Sequence, residues 1–354
     1  MTAPYLGEDL IFVISQPRSG STLLQRILAG HPDVQTSAET WLMLHPVYGL
    51  KRKGIQTEYG AAWAATGVTE FLEYYADGTQ TYDAGVRAFA REIYGTVLAR
   101  HGKKRFLDKT PRYSLIVPDL YRLFPEARFV LLFRNPLAVL ASELSTYVKE
   151  DWPKLANFAP DLLAAPRRLI EARALLGDRA VLLRYEDLVA SPAEEMARVC
   201  DALALRFDPA MLEYADTPAP KGVMNDPVGV HQHQAPSPAS LEKWKRLGED
   251  SQARHFALAY VNALGPETLQ DLGYPLETLR AAIEDQPVTR RRRAVFPWDL
   301  AVRPRRKWGA ADEVRGAYHL KAATSGPVSG SISALGVLMG RLTRAVRRSA
   351  GAGS

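Results

Sequence analysis

Leu10-Ile11-Phe12-Val13-Ile14-Ser15-Gln16-Pro17-Arg18-Ser19-Gly20-Ser21-Thr22-Leu23-Leu24 is the stretch that decides the fold. From Asp9 to Ser15 the chain is almost continuously apolar, the pattern of a strand buried on both faces rather than on one. A short loop of Pro, Gly and Ser follows, and then Thr22, Leu23, Leu24, Ile27 and Leu28 recur at helical spacing. A strand feeding a tight loop and a helix start aims successive backbone N–H groups, and the positive end of the helix dipole, at one point. That point is an anion site. Gly20 allows close approach of the backbone, Ser19, Ser21 and Thr22 offer hydroxyls, and Arg18 adds a fixed charge on a planar donor fork.

The same strand-to-helix unit recurs along the chain. Phe129 to Phe133 is an apolar run that ends at Arg134-Asn135-Pro136 and enters a helical stretch from Leu137 to about Val148. A third run, Ala180 to Leu183, ends at Arg184-Tyr185-Glu186-Asp187, with Ser191-Pro192 as the start of a helix over Glu194 to Leu205. Repetition of this unit predicts an α/β fold, a parallel β-sheet flanked by helices, whose ligands sit beyond the carboxyl ends of the strands. Thr57 to Arg100 and Trp152 to Leu176 read as helix-rich inserts. The first carries Tyr59, Trp63, Phe71, Tyr74, Tyr75 and Tyr82, expected to be core, with the lining of an acceptor cleft as the alternative.

The net charge of +6 over 354 residues is a property of the tail. Between Arg290 and Arg348 fourteen Lys and Arg face Asp299, Asp312 and Glu313, a local +11, so the rest of the chain carries −5. A body of that charge gives no general footprint for nucleic acid. The expected division is a domain over residues 1–286 and an appendage over 287–354, made of a solvated basic linker and a terminal helix. In that helix Ile332, Leu335, Met339, Leu342 and Val346 fall within roughly 80° of one another, with Arg341, Arg344 and Arg348 opposite. Such a basic amphipathic helix suits peripheral contact with an anionic membrane or docking on a partner. Cys200 is the single cysteine, and Met1 to Gly7 lacks a basic leader. The expectation is a cytoplasmic protein without disulfides or a cysteine-based metal site.

A loop for nucleoside triphosphates would carry Gly-Lys-Ser/Thr; here Ser21 stands where the lysine belongs. The string Pro17 to Leu24, with His31-Pro32-Asp33-Val34, Ala38-Glu39-Thr40, Leu107-Asp108-Lys109-Thr110-Pro111, Tyr121 to Pro125, Phe129 to Asn135 with Ser142, and Arg184 to Leu188, resembles the sulfotransferases that use 3′-phosphoadenosine 5′-phosphosulfate. It is most similar to the protein-tyrosine and related bacterial branch, over roughly residues 8 to 250. The resemblance implies the P-loop-like sulfotransferase fold and 3′-phosphoadenosine 5′-phosphosulfate (PAPS) as co-substrate, with no metal. It implies that Arg18, Ser19, Gly20, Ser21 and Thr22 hold the 5′-phosphosulfate, that Arg134 and Ser142 hold the 3′-phosphate, and that Tyr185 and, by a looser match, Ser240 contact the donor. It makes Glu39 the base for the acceptor hydroxyl, and Lys109 and Arg18 the groups that stabilise charge on transfer.

His231 and His233 are the other chemistry-bearing pair, as a two-ligand metal site lacking a third ligand or as substrate-orienting groups. Two rivals stand beside the sulfotransferase reading. One is a P-loop kinase or NTPase. The other is a nucleotide-binding module without catalysis, anchored by its basic tail.

Overall fold

The structure is a computed structural model and describes residues 4–213 and 241–351, with no side chain described at Thr324 or over 342–351. His231, His233 and Ser240 lie outside the described residues. The chain forms two compact units, one from residues 1–134 and 167–238, the other from 135–166 and 239–354.

In the first unit, β1 (Leu10–Ser15) is buried along its whole length and leads through the loop into α1 (Ser21–Ala29). The chain continues through β2 (Val34–Thr36), α2 (Leu44–Tyr48), α3 (Ala61–Tyr75), α4 (Thr79–His101), β3 (Arg105–Lys109), α5 (Val117–Leu123) and β4 (Arg128–Phe133). There it passes into the second unit along α6 (Pro136–Glu143) and returns along α7 (Ala165–Leu176) to β5 (Ala180–Arg184), α8 (Tyr185–Ala190) and α9 (Pro192–Ala202).

Five strands form one sheet in the order β2-β3-β1-β4-β5, every neighbouring pair parallel. From β1 the chain first builds outward to β3 and β2, then crosses to β4 and β5. That reversal makes the carboxyl ends of β1 and β4 a topological switch point, where open α/β sheets leave a crevice. Beneath it, the Phe12 ring packs within 6.0 Å of those of Tyr113, Phe124 and Phe129. Truncating Phe12 to Ala would cost about 3–5 kcal/mol, as such large core deletions do. Two strands, β2 and β3, go beyond the three apolar runs legible in the sequence. The first has three residues, and the second carries Arg105, Asp108 and Lys109, so neither shows a strand's apolar signature.

The aromatic residues expected as core are largely exposed: Tyr59, Phe71, Tyr74 and Tyr75 face solvent, and Trp63 is 82% accessible. The reason is that α3 buries only Ala65 and Leu72. Tyr82 differs, being half-buried and donating from its hydroxyl to Pro46 O at 2.8 Å.

The second unit continues with α10 (Ser251–Leu264), α11 (Pro266–Leu272), α12 (Leu276–Glu284), α13 (Trp298–Ala301), α14 (Ala310–Ser325) and α15 (Pro327–Gly351). The stretch read as a solvated linker contributes to its core. Phe296, Leu300 and Ala301 are fully buried in a cluster with Trp152, Phe256 and Tyr260. Arg292 is itself nearly buried and bonds Glu150 and Asp250 at 3.1 Å each. The apolar run Val295-Phe296-Pro297-Trp298 between the basic clusters supplies the burial that fixes this segment.

Further on, α14 and α15 fold back on one another around Gly326, at φ +91°. Gly330 permits the approach: a Cβ there would lie 2.8 Å from both Ala322 Cβ and Tyr318 O. Arg341 pairs with Glu313 across the hairpin at 2.9 Å. Val328, Ile332, Leu335, Leu338 and Met339 remain exposed, while the side chains of Leu342 and Val346 lie outside the described residues.

Candidate active site

Each strand of the sheet delivers one element of the candidate site from its carboxyl end. β1 gives the loop Gln16 to Gly20, β2 leads to Glu39, β3 ends on Lys109, β4 is followed by Arg134, and β5 by Tyr185. With parallel strands about 4.8 Å apart, the strand order spaces these groups over roughly 19 Å. Glu39 and Lys109 thus belong to one side of the loop, and Arg134 and Tyr185 to the other.

The loop is held in an unusual conformation. Arg18 has φ +66° and Gly20 φ +87°. Positive φ at a non-glycine residue costs on the order of 1–3 kcal/mol and persists only where surroundings enforce it. Here Arg134 Nη1 donates to Arg18 O at 2.7 Å, and the Arg134 guanidinium lies 4.1 Å over the Tyr185 ring. That ring in turn lies on Gly20: a Cβ on Gly20 would sit 2.3 Å from Tyr185 Cδ2. Glycine is therefore required at position 20 twice, by its φ and by contact. The Ser19 hydroxyl is fully buried and has no hydrogen-bond partner among the described residues. A buried donor without an acceptor is costly alone, and an anion seated in the loop would satisfy it. The residues present thus fit a phosphosulfate group.

On the other side, Lys109 Nζ donates to Glu39 Oε1 at 3.0 Å, and Trp41 Nε1 donates to Glu39 Oε2 at 3.3 Å. The lysine side chain is 1% exposed and the glutamate 19%, so the pair sits at the edge of the buried interior with its carboxylate toward solvent. Gln25 on α1 fixes the approach to Glu39 by donating to Thr36 Oγ1 at 2.8 Å and Ser37 O at 2.7 Å. The His31 ring accepts from Asp33 N at 3.1 Å and so shapes the turn into β2; burial holds its pKa below the ordinary histidine value.

The structure thus groups Arg18 with Arg134 and Tyr185 around Gly20, and Glu39 with Lys109. Ser21 and Thr22 open α1. Ser142 lies on α6, in the second unit. Sequence reasoning did not single out Asp108, Tyr94 and Tyr113, which form a buried network behind Glu39. No local signal marked them, because the strand Arg105-Phe106-Leu107-Asp108-Lys109 does not read as buried; only the fold shows that its acid is enclosed and needs partners. Asp108 accepts hydroxyl hydrogen bonds from Thr40, Tyr94, Tyr113 and Thr110. Burial raises the pKa of Asp108, against the lowering effect of those four donors, and also raises that of both tyrosines. Among the described residues no group of three or more His, Cys, Asp or Glu is placed to hold a metal ion, and no helix is long and apolar enough to cross a membrane.

A parallel α/β sheet with a glycine-bearing loop and a helix start at its switch point is an architecture suited to proteins that handle phosphate-like groups. Comparison with known proteins names the family within that class: residues 9–209 match the model described as "Sulfotransferase family", and the chain belongs to that family. The nodulation protein NoeE of Sinorhizobium fredii is 33% identical over 322 residues, covering 82% of this chain and 74% of that protein. Protein-tyrosine sulfotransferase 2 of Gallus gallus is 28% identical over 247 residues, covering 66% and 62%. Among solved structures, the sulfotransferase domain from the curacin biosynthetic pathway aligns at 23% identity with a TM-score of 0.48, over 69% of this chain and 92% of that one. The protein is a sulfotransferase with the P-loop-like sulfotransferase fold. It transfers a sulfuryl group to a hydroxyl acceptor, and PAPS is the donor general to the family.

Proposed function

We propose that this chain takes its sulfuryl group from PAPS, with the donor's 5′ end in the Arg18 to Thr22 loop and its 3′-phosphate toward Arg134. The observation that carries this reading is the strand order. It sets a loop for the reacting anion between an arginine arm on the β4 and β5 side and a carboxylate–ammonium pair on the β2 and β3 side. Ser142, Tyr185 and Ser240 complete the donor contacts.

In the reaction the acceptor oxygen attacks sulfur in line, and the bond from sulfur to the bridging oxygen of the 5′-phosphate breaks. The hydroxyl proton passes to Glu39. The electron pair of the broken bond stays on the departing phosphate, whose charge Arg18 and Lys109 stabilise. The resting contact between Lys109 and Glu39 gives this a physical sequence: as Glu39 gains the proton it loses its charge, and the ammonium is released toward the new negative oxygen. No step needs a metal ion. The acceptor is a hydroxyl of a carbohydrate, lipid or other metabolite.

The domain we propose for this chemistry is residues 1–286, with no role for nucleic acid; the 287–354 segment follows it and begins by packing Phe296 and Leu300 into the core of the second unit. The enzyme works in the cytoplasm, with α15 in peripheral contact with an anionic membrane. Two facts support that contact: the exposed apolar residues of the α14–α15 hairpin and the surplus of +11 between Arg290 and Arg348.

Titration calorimetry with 3′-phosphoadenosine 5′-phosphate (PAP), ADP and ATP, with and without Mg²⁺, tests the donor. Selective, metal-independent binding of PAP is expected. Preference for ATP with Mg²⁺, or equal binding of ADP and PAP, would overturn the assignment of PAPS as the donor held by these residues.

A further inference from the structure

We propose that Asp108 is a positioning residue of the transfer reaction, a buried carboxylate hub that fixes the turn from Thr40 to Met43 and thereby aims Glu39. The inference rests on the reading of Glu39 as the base.

Asp108 lies on β3 immediately before Lys109 and is 1% exposed. Its Oδ2 accepts from Thr40 Oγ1 at 2.6 Å, Tyr94 OH at 2.7 Å and Tyr113 OH at 3.0 Å, and its Oδ1 accepts from Thr110 Oγ1 at 3.0 Å. Three of these hydroxyls then accept in their turn from consecutive backbone amides. Trp41 N donates to Thr110 Oγ1 at 3.4 Å, Leu42 N to Thr40 Oγ1 at 3.1 Å, and Met43 N to Tyr113 OH at 3.0 Å. Every N–H from 41 to 43 therefore ends on a hydroxyl whose own proton ends on one carboxylate.

The turn so held is a strained one, since Trp41 stands at φ +55°. A non-glycine residue keeps that conformation only where its surroundings over-determine it. The strain places the Trp41 indole where its N–H meets Glu39 Oε2, while Lys109, next to Asp108 in sequence, takes Oε1. One oxygen of Glu39 is thus fixed by the turn that the hub holds, and the other by the residue that follows Asp108 on β3.

Four hydroxyls aimed at one carboxyl are all satisfied when it is ionised and accepts only, and those same four donors oppose the rise in pKa that burial imposes on it. An asparagine would turn an NH₂ toward at least one hydroxyl and reverse that spoke. For stability alone, a well-packed apolar side chain would cost less than a buried charge. A charge whose spokes run to a single turn beside the base fits the alternative purpose, which is to orient.

The test is Asp108→Asn, alone and combined with Glu39→Gln. Turnover is measured with radiolabelled PAPS and a hydroxyl acceptor that the wild-type chain sulfates, drawn from a panel of oligosaccharides, phenols and tyrosyl peptides. Asp108→Asn is expected to lower kcat about 10- to 100-fold, as loss of an oriented acid–base group does. Calorimetric affinity for PAP should stay within about twofold, since that contact is made on the other side of the loop. Amide hydrogen exchange over 41–43 should accelerate. In the Glu39→Gln background the same change should slow turnover little further, because its effect passes through Glu39.

Full multiplication of the two losses would overturn the proposal, because a role in general packing acts independently of Glu39. Faster exchange with normal kcat would overturn it as well. Should Asp108→Asn fail to fold, Thr40→Val and Tyr113→Phe each remove one spoke and are judged by the same cycle. Near-normal turnover of Glu39→Gln by itself is a distinct outcome: it removes the base reading, and the proposal with it.

Discussion

Arg134 carries two loads in this structure, and replacing it with alanine separates them. One load is internal: its guanidinium donates to Arg18 O at 2.7 Å and lies 4.1 Å over the Tyr185 ring. A hydrogen bond from a charged group contributes about 1.5–3 kcal/mol, and a cation over an aromatic face about 0.5–2 kcal/mol. Losing both loosens the loop around Gly20 and weakens every nucleotide that uses it. The other load is the proposed contact with the 3′-phosphate, again charge-assisted and again about 1.5–3 kcal/mol. At 1.4 kcal/mol per decade, that second term adds a loss of about 10- to 100-fold for PAP only. Calorimetry on wild type and Arg134→Ala with PAP and with ADP, which lacks the 3′-phosphate, reads the two separately. PAP should lose more affinity than ADP by that factor, and Arg134→Lys, which keeps the charge without the planar fork, should fall between. Equal losses for both nucleotides would show that Arg134 only braces the loop, and the 3′-phosphate would need another partner.

Gly20→Ala drives a methyl to within 2.3 Å of Tyr185 Cδ2 at φ +87°; the strain and ring displacement should destabilise the fold by about 2–3 kcal/mol, read as a lower midpoint in urea unfolding. Glu39→Gln should keep donor affinity in calorimetry and lower turnover by about 100-fold or more. Burial holds His31, His255 and His319 below the ordinary histidine pKa. The unfolded chain therefore takes up protons near pH 6.5 that the folded chain resists, so stability should be full above that pH and fall as pH drops below it. Urea midpoints from pH 8 to 5 check this, and replacing the three histidines by glutamine should flatten the slope. Ile332→Glu with Leu335→Glu and Met339→Glu should abolish sedimentation with phosphatidylserine vesicles while leaving turnover of a soluble acceptor intact; unchanged sedimentation would remove α15 as the membrane contact.

The sequence by itself determined the strand-loop-helix unit at Leu10 to Leu24, because a doubly buried parallel strand must be apolar throughout and an anion loop must be small and glycine-bearing. It determined β4 for the same reason and β5 from its short apolar run, although that edge strand is only alternately buried, and through the family resemblance it brought Arg18, Glu39, Lys109, Arg134 and Tyr185 forward as individual residues. It did not yield β2 or β3: three residues give no periodicity, and Asp108 and Lys109 break the apolar run of β3 because their burial depends on partners about 70 positions away. Nor did it yield the exposure of Trp63 and its neighbours, since helical spacing shows which residues share a face and not whether anything covers it. The segment after residue 286 read as linker from its charge, yet Phe296 and Leu300 are core, because burial is decided by what the fold brings alongside. Tertiary structure alone decided the strand order β2-β3-β1-β4-β5. That order alone turns five separate strand ends into a loop with a carboxylate–ammonium pair on one side and an arginine stacked on a tyrosine on the other, because lateral position in a parallel sheet is set by crossover connections that no local stretch of sequence encodes.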